Sequence, residues 1–149
     1  MTLRPANPLR RGPVALALTV VAVLGLAYDV KAHLHLAPVY DAVGTSITQG
    51  ALFRLEAAVA LVVGLALLVV DDRRVWLLAA LVGLAGVAAV VLYRYVEVPA
   101  LGPVPSMYEP VWFPEKTHSA IAEGLVVVAA LAREVVRRAG RPTAGSAGG

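Results

Sequence analysis

Cysteine is absent from all 149 residues. That excludes disulfides, thiolate nucleophiles, iron–sulfur clusters and thiolate zinc sites within the chain. Charge is also scarce. Only 15% of residues are charged, where soluble domains carry about 25%. Aromatic residues make up 6%. No stretch alternates apolar and polar residues as a half-buried strand would. A phosphate-binding glycine loop, GxSxG and HExxH are all missing, which removes the most recognisable routes to nucleotide, acyl-transfer and zinc-protease chemistry. What remains is apolar: 59% of residues are hydrophobic and the mean hydropathy is +0.77. Disorder, a fibre, a coiled coil and an ordinary soluble domain are excluded on these figures, and a small integral membrane protein is left.

Four apolar stretches stand out: Val14–Ala27 extended to Val30, Ala51–Val70, Val75–Val96 and Thr117–Val136. A spanning helix needs about 20 residues for a hydrocarbon core of about 30 Å, and helices are the spanning unit this composition allows. The expected fold is all-α, a four-helix transmembrane bundle. It forms one membrane domain over residues 1–139, with helices at about 13–36, 47–70, 75–96 and 115–138, followed by a disordered tail over 140–149 that has nothing apolar to bury. Gly12-Pro13 opens the first helix and Pro38 closes it. Ser46-Ile47-Thr48-Gln49 reads as a capping box for the second. Asp71-Asp72-Arg73-Arg74 makes a tight turn, and Pro114 with Glu115 starts the fourth helix. A cleaved signal peptide is the alternative for the first stretch, with Arg4, Arg10 and Arg11 as its basic segment and Gly25-Leu26-Ala27 as its cleavage pattern. Against it, helical character continues to Leu36.

The net charge of +3 and pI near 9.6 would suit nucleic acid, but the arginines sit beside apolar runs, where membrane topology explains them. Arg4, Arg10, Arg11, Arg73, Arg74, Arg133, Arg137, Arg138 and Arg141 fall on one side, nine of the 13 cations. The positive-inside rule then predicts both termini in the cytoplasm and the first and third loops outside. The expected location is the cytoplasmic (inner) membrane of a bacterium, with the lipid bilayer as first partner, a homo-oligomer or larger membrane complex as second, and no nucleic acid.

Ionisable residues within spans are costly and mark functional interiors. Here they gather in the half away from the arginine clusters. Counting from the span ends puts Asp29 and His33 near the top of the first helix. Glu56 lies five residues into the second, about 7.5 Å deep. Arg54 and Arg94 lie near helix ends, and Glu123 lies deepest of all. The predicted outer pocket comprises Asp29, His33, Arg54, Glu56, Arg94, His118 and Glu123, with cross-helix pairs of Glu56 or Glu123 with Arg94 or Arg54. The first reading of these residues is a structural salt-bridge network that fixes helix register, with Arg54 and Arg94 snorkelling to the interface; the pocket is the competing one. Small residues at Ala60, Gly64, Ala79, Gly83 and Gly124 suggest close helix approach. No metal ligands are assigned. His33 and His35 point to different helix faces, and His118 and Glu123 are five apart where helical metal pairs are three or four. No catalytic residue is assigned either, and any cofactor is unknown.

The third loop, residues 97–114, holds five of the ten prolines. With Tyr108, Trp112 and Phe113 it reads as a stiff aromatic lid or interfacial anchor. The segments Leu52-Phe53-Arg54-Leu55-Glu56-Ala57, Tyr93-Arg94-Tyr95-Val96-Glu97 and Tyr108 to Lys116 resemble a group of small uncharacterised four-helix bacterial membrane proteins over about residues 14–136. That resemblance implies the four-helix membrane fold and no activity. In helix number and size alone the chain is also similar to DoxX-type proteins, some tied to quinone chemistry. The expected function is therefore a non-catalytic binding or accessory protein with an outward polar pocket. The alternatives are an enzyme subunit acting on a quinone or lipid, and a structural subunit of a membrane complex.

Overall fold

A computed structural model of the protein describes residues 12–44 and 46–140. The N-terminal segment with Arg4, Arg10 and Arg11, and the expected tail beyond Gly140, lie outside the described residues. Four helices are present: α1 (Pro13–Leu36), α2 (Gln49–Val69), α3 (Arg73–Tyr95) and α4 (Pro114–Ala139). Among the described residues there are only isolated β-bridges and no strand.

The helix ends follow from local chemistry. Pro13 takes the first turn of α1, where its missing N–H costs nothing. Pro38 does not end the coil outright, because the chain tightens into a 3-10 turn over Ala37–Tyr40. The cap of α2 is Thr48 and not Ser46: its Oγ1 accepts the Ala51 N–H at 3.0 Å. Asp72 caps α3 by accepting the Arg74 N–H at 2.8 Å. Phe113 is extended (φ −137°, ψ 161°), as a residue before proline must be, and α4 starts directly after it.

Around the bundle the order is α2, α1, α4, α3, and the α2–α3 seam is much the thinnest of the neighbouring contacts. The core is built from small side chains such as Ala22, Ala60, Ala79 and Ala129 around Leu26, Leu67, Trp76 and Val126. Small residues let helix backbones approach. A Cβ on Gly25 would stand 2.7 Å from Val126 Cγ2, and one on Gly83 would stand 2.6 Å from the Glu123 carbonyl oxygen. Gly124, which the sequence suggested for this purpose, has nothing within 4 Å of such an atom. The close approaches to α4 are therefore made by glycines of α1 and α3.

Three helices, α1 with its 3-10 extension, α2 and α3, are long and apolar enough to cross a membrane. The fourth is diluted by Lys116, Glu123, Arg133, Glu134, Arg137 and Arg138. Even so, its outward face is an apolar stripe of Ile121, Leu125, Val128, Leu131 and Val135, all exposed. Its buried side includes Lys116, Ser119 and Glu123. The buried side also carries Ala122, Val126, Ala129 and Ala130, so α4 presents apolar groups both to the bundle and outward, with three polar groups enclosed near its start.

Candidate functional site

At the end of the bundle away from the α2–α3 turn lies a cleft of about 360 Å³. Its walls are apolar and aromatic, with Phe53 from α2, Tyr40 from the 3-10 turn, Tyr93 from α3, and Tyr108 and Phe113 from the third loop. His33, Glu56, Ser119 and Glu123 supply polar groups at its lining. The thin α2–α3 seam forms one side, where Leu55 and Ala85 are both exposed.

Asp29 and Glu123 are enclosed almost completely, at 1% and 2% exposure. Glu123 is thus matched in depth by Asp29 and is not the most buried charge. His33 Nδ1 lies 2.8 Å from Asp29 Oδ1 and 3.0 Å from the Asp29 carbonyl oxygen, as an i,i+4 pair on one helix face. Phe53 holds the imidazole edge-on at 5.3 Å between ring centres. Ser119 Oγ lies 3.2 Å from both Asp29 Oδ1 and Glu123 Oε1. A hydroxyl has one hydrogen, so it donates to one of these carboxylates at a time. Asp29 Oδ2 and Glu123 Oε2 are buried without any hydrogen-bond partner. Space for the Glu123 carboxylate is made by Gly86 of α3, where a Cβ would overlap its oxygens.

The expected carboxylate–arginine pairs do not form. Arg54 makes a two-pronged pair with Asp41 at 2.6 and 2.7 Å, in the α1–α2 connection. That guanidinium holds the Asp41 carboxyl below its ordinary range. Arg94 turns toward the Tyr95 ring, 5.1 Å from its centre. His118 is exposed, edge-on to Tyr28 at 6.1 Å, and lines no part of the cleft. Among the described residues, Asp29 has His33 as its ion-pair partner, and neither Glu56 nor Glu123 has one. Of the seven predicted residues, Asp29, His33, Glu56 and Glu123 come together, while Arg54, Arg94 and His118 lie apart.

The third loop does cover this end. Bridges Val98–Met107 and Leu101–Val104 fold it into a hairpin whose turn uses Gly102 at φ +58°. The Tyr40 hydroxyl donates to Glu109 Oε2 at 2.8 Å, Gln49 donates to the Ser106 carbonyl at 3.0 Å, and the Glu109 N–H donates to the Tyr93 carbonyl at 2.9 Å. Lys116 Nζ donates to the carbonyls of Glu109 and Val111 at 2.5 and 3.3 Å, with the Trp112 ring 5.4 Å away. Tyr108 and Phe113 line the cleft, and so does Lys116, whose ammonium is tied to the loop carbonyls with the Trp112 ring alongside.

One group of side chains has metal-ligand character: donor atoms of Asp29, His33 and Glu123 all lie within 4.8 Å of one another. Reading pairs along single helices did not find it, since Glu123 arrives from α4 to complete a pair on α1. No protein-family model, curated protein or solved structure matches the chain.

Proposed function

We propose that the protein is an integral membrane binding protein: a four-helix bundle with its arginine-rich end in the cytoplasm, which holds a positively charged ligand at an acidic floor beneath the third loop. One observation carries this reading. Two carboxylates, Asp29 and Glu123, are buried with an unpartnered oxygen each, and no lysine or arginine among the described residues pairs with either. Burying ionised carboxylates short of countercharge costs several kcal/mol, and one histidine beside Asp29 serves the pair, so the arrangement suits a site whose remaining countercharge is the ligand. A fully paired cluster would instead have supported a structural subunit. Insertion of α4 with the other three helices is supported by its outward apolar stripe, and the orientation by the nine arginines of the sequence that cluster toward one side.

The test is thermal unfolding of the chelator-treated protein in mild detergent, with dodecylamine, lauric acid and dodecanol compared at equal concentration. The amine should raise Tm and the acid should not. Equal effects of amine and acid would remove the acidic floor from the reading. Native mass spectrometry from the same detergent would report a retained ligand and the oligomeric state together. A quinone or lipid occupant is the second reading, favoured by the aromatic walls and the thin α2–α3 seam. Stronger stabilisation by a neutral short-chain ubiquinone than by the amine would select it.

A further inference from the structure

We infer that Asp29, His33 and Glu123 form a binding site for one divalent transition-metal ion, deep in the bundle and facing the cleft. The inference rests on the reading of the cleft floor as a cation site and names the class of cation. Three observations carry it. First, the ligand atoms already lie within 4.8 Å of one another. Donors about 2.0–2.2 Å from a shared ion in a tetrahedral shell stand about 3.3–3.6 Å apart, so the widest pair has to close by up to roughly 1.5 Å as the side chains turn toward the ion. Second, Asp29 Oδ2 and Glu123 Oε2 are buried without partners, on side chains 1% and 2% exposed. No N–H or O–H of another residue reaches either oxygen, and the two carboxyl groups lie within hydrogen-bonding reach of each other. Third, the charges close: two carboxylates and a neutral imidazole cancel a doubly charged ion, whereas a monovalent ion would leave a net negative charge in a low-dielectric interior.

The donor set narrows the ion. Two oxygens and one imidazole nitrogen, with no cysteine in the chain, suit Zn²⁺, Mn²⁺ or Fe²⁺ better than Cu⁺, which prefers thiolate or thioether. Ca²⁺ and Mg²⁺ prefer all-oxygen shells. Ser119, within 3.2 Å of both carboxylates, is placed to orient them as outer-shell hydrogen-bond partners do. Three protein ligands leave a coordination position free, as in open metal sites, and two of them, His33 and Glu123, line the cleft. Gly86 keeps the Glu123 carboxylate unobstructed from α3.

Co²⁺ serves as the probe, titrated into the full-length, chelator-treated protein in detergent and followed by visible absorption. One ion per chain is expected. Glu123→Gln and His33→Gln should each weaken binding by at least about 100-fold, since losing an outer-shell partner alone costs 10–100-fold. His35→Gln and His118→Gln, both at exposed histidines, should leave it unchanged. Loss of binding in either of those two, or undiminished binding in Glu123→Gln, overturns the assignment. Should the site variants fold poorly, X-ray absorption on the wild-type Zn²⁺ complex decides. An oxygen/nitrogen shell with one imidazole supports the site, and sulfur or two or more imidazoles overturns it. Failure to bind Co²⁺ while dodecylamine still stabilises the protein overturns the metal and leaves the acidic floor standing. Failure of both overturns both.

Discussion

Beside the α2–α3 turn, Asp71 accepts from Arg133 at 2.8 Å and from Arg137 at 3.2 Å, and Glu134 faces Arg73 at 3.3 Å and Arg138 at 2.9 Å. Asp71 and Glu134 each have two arginines. At the opposite end, Asp29 and Glu123 share one serine hydroxyl, and Glu56 has no ion pair. The first arrangement is partly open to solvent and tolerant of small movements. The second is closed and short of donors. Charge at the turn end ties α2 and α3 to α4, whereas charge at the cleft end is kept against a desolvation cost. Such a cost is what the proposed binding site would explain.

The largest effect should come from filling the space that the cleft-end acid occupies. Gly86→Leu drives a side chain into the Glu123 carboxylate and should cost about 3 kcal/mol, as overpacking of a tight contact does. Adding Glu123→Ala should recover more than half of that loss. Unfolding curves of the two single variants and the double variant form the cycle. Strict additivity would show that the two side chains do not share the space.

Next in size is Asp71→Asn, which removes the negative charge and one of the two acceptor oxygens that Arg133 and Arg137 share. Arg133 is 12% and Asp71 28% exposed, so the pair is only partly screened, and a loss of about 1–2 kcal/mol is expected. High salt should shrink the difference between variant and wild type. An Asp71→Asn variant as stable as wild type would erase the contrast between the two ends.

Glu123→Gln, in protein free of metal, should behave oppositely. The amide keeps the shape, removes a buried charge and can donate to Asp29, so stability should change by less than about 1 kcal/mol or rise. A Tm drop matching that of Asp71→Asn would mean that the cleft-end acid has a cationic partner after all.

The helices were legible because proline, glycine and capping residues stand at their ends. Depth was legible too, because counting from the span boundary gives height at a fixed rise per residue. Asp29, Glu56 and Glu123 were placed in the same half of the bundle that way, though Glu123 was set deepest and Asp29 proves as enclosed. Height does not give azimuth, and there the reading failed. Arg54 and Arg94 sit at the right level but turn to Asp41 and Tyr95, neither of which counting within spans would nominate. His118 could have been set apart from Glu123, since five positions place two side chains on well-separated helix faces. The slot on α3 was half visible: Gly83 drew notice for its spacing from Ala79, but Gly86, one turn on, shows its purpose only once Glu123 lies against it.

The smallest effect belongs to an ion pair that shares the cleft end and none of its burial. Asp41 and Arg54 are exposed at 45% and 46%, so water screens them as it screens any surface pair. The Arg54 guanidinium holds the Asp41 carboxyl below its ordinary value of 3.8. A carboxyl depressed by folding stabilises the folded state above its unfolded pKa, and that contribution fades as pH falls through the lower folded value. The pair should therefore add a slight acid-side dependence of stability below about pH 4 and none near neutrality. Carbon-13 titration of the Asp41 carboxyl in wild type and in Arg54→Gln reads this directly. The midpoint should rise toward the ordinary value in the variant and Tm at neutral pH should fall slightly, as for any exposed pair, while Co²⁺ binding stays the same. A change in Co²⁺ affinity would couple this surface pair to the buried acids, and the division between open and closed charge at this end of the bundle would have to be redrawn.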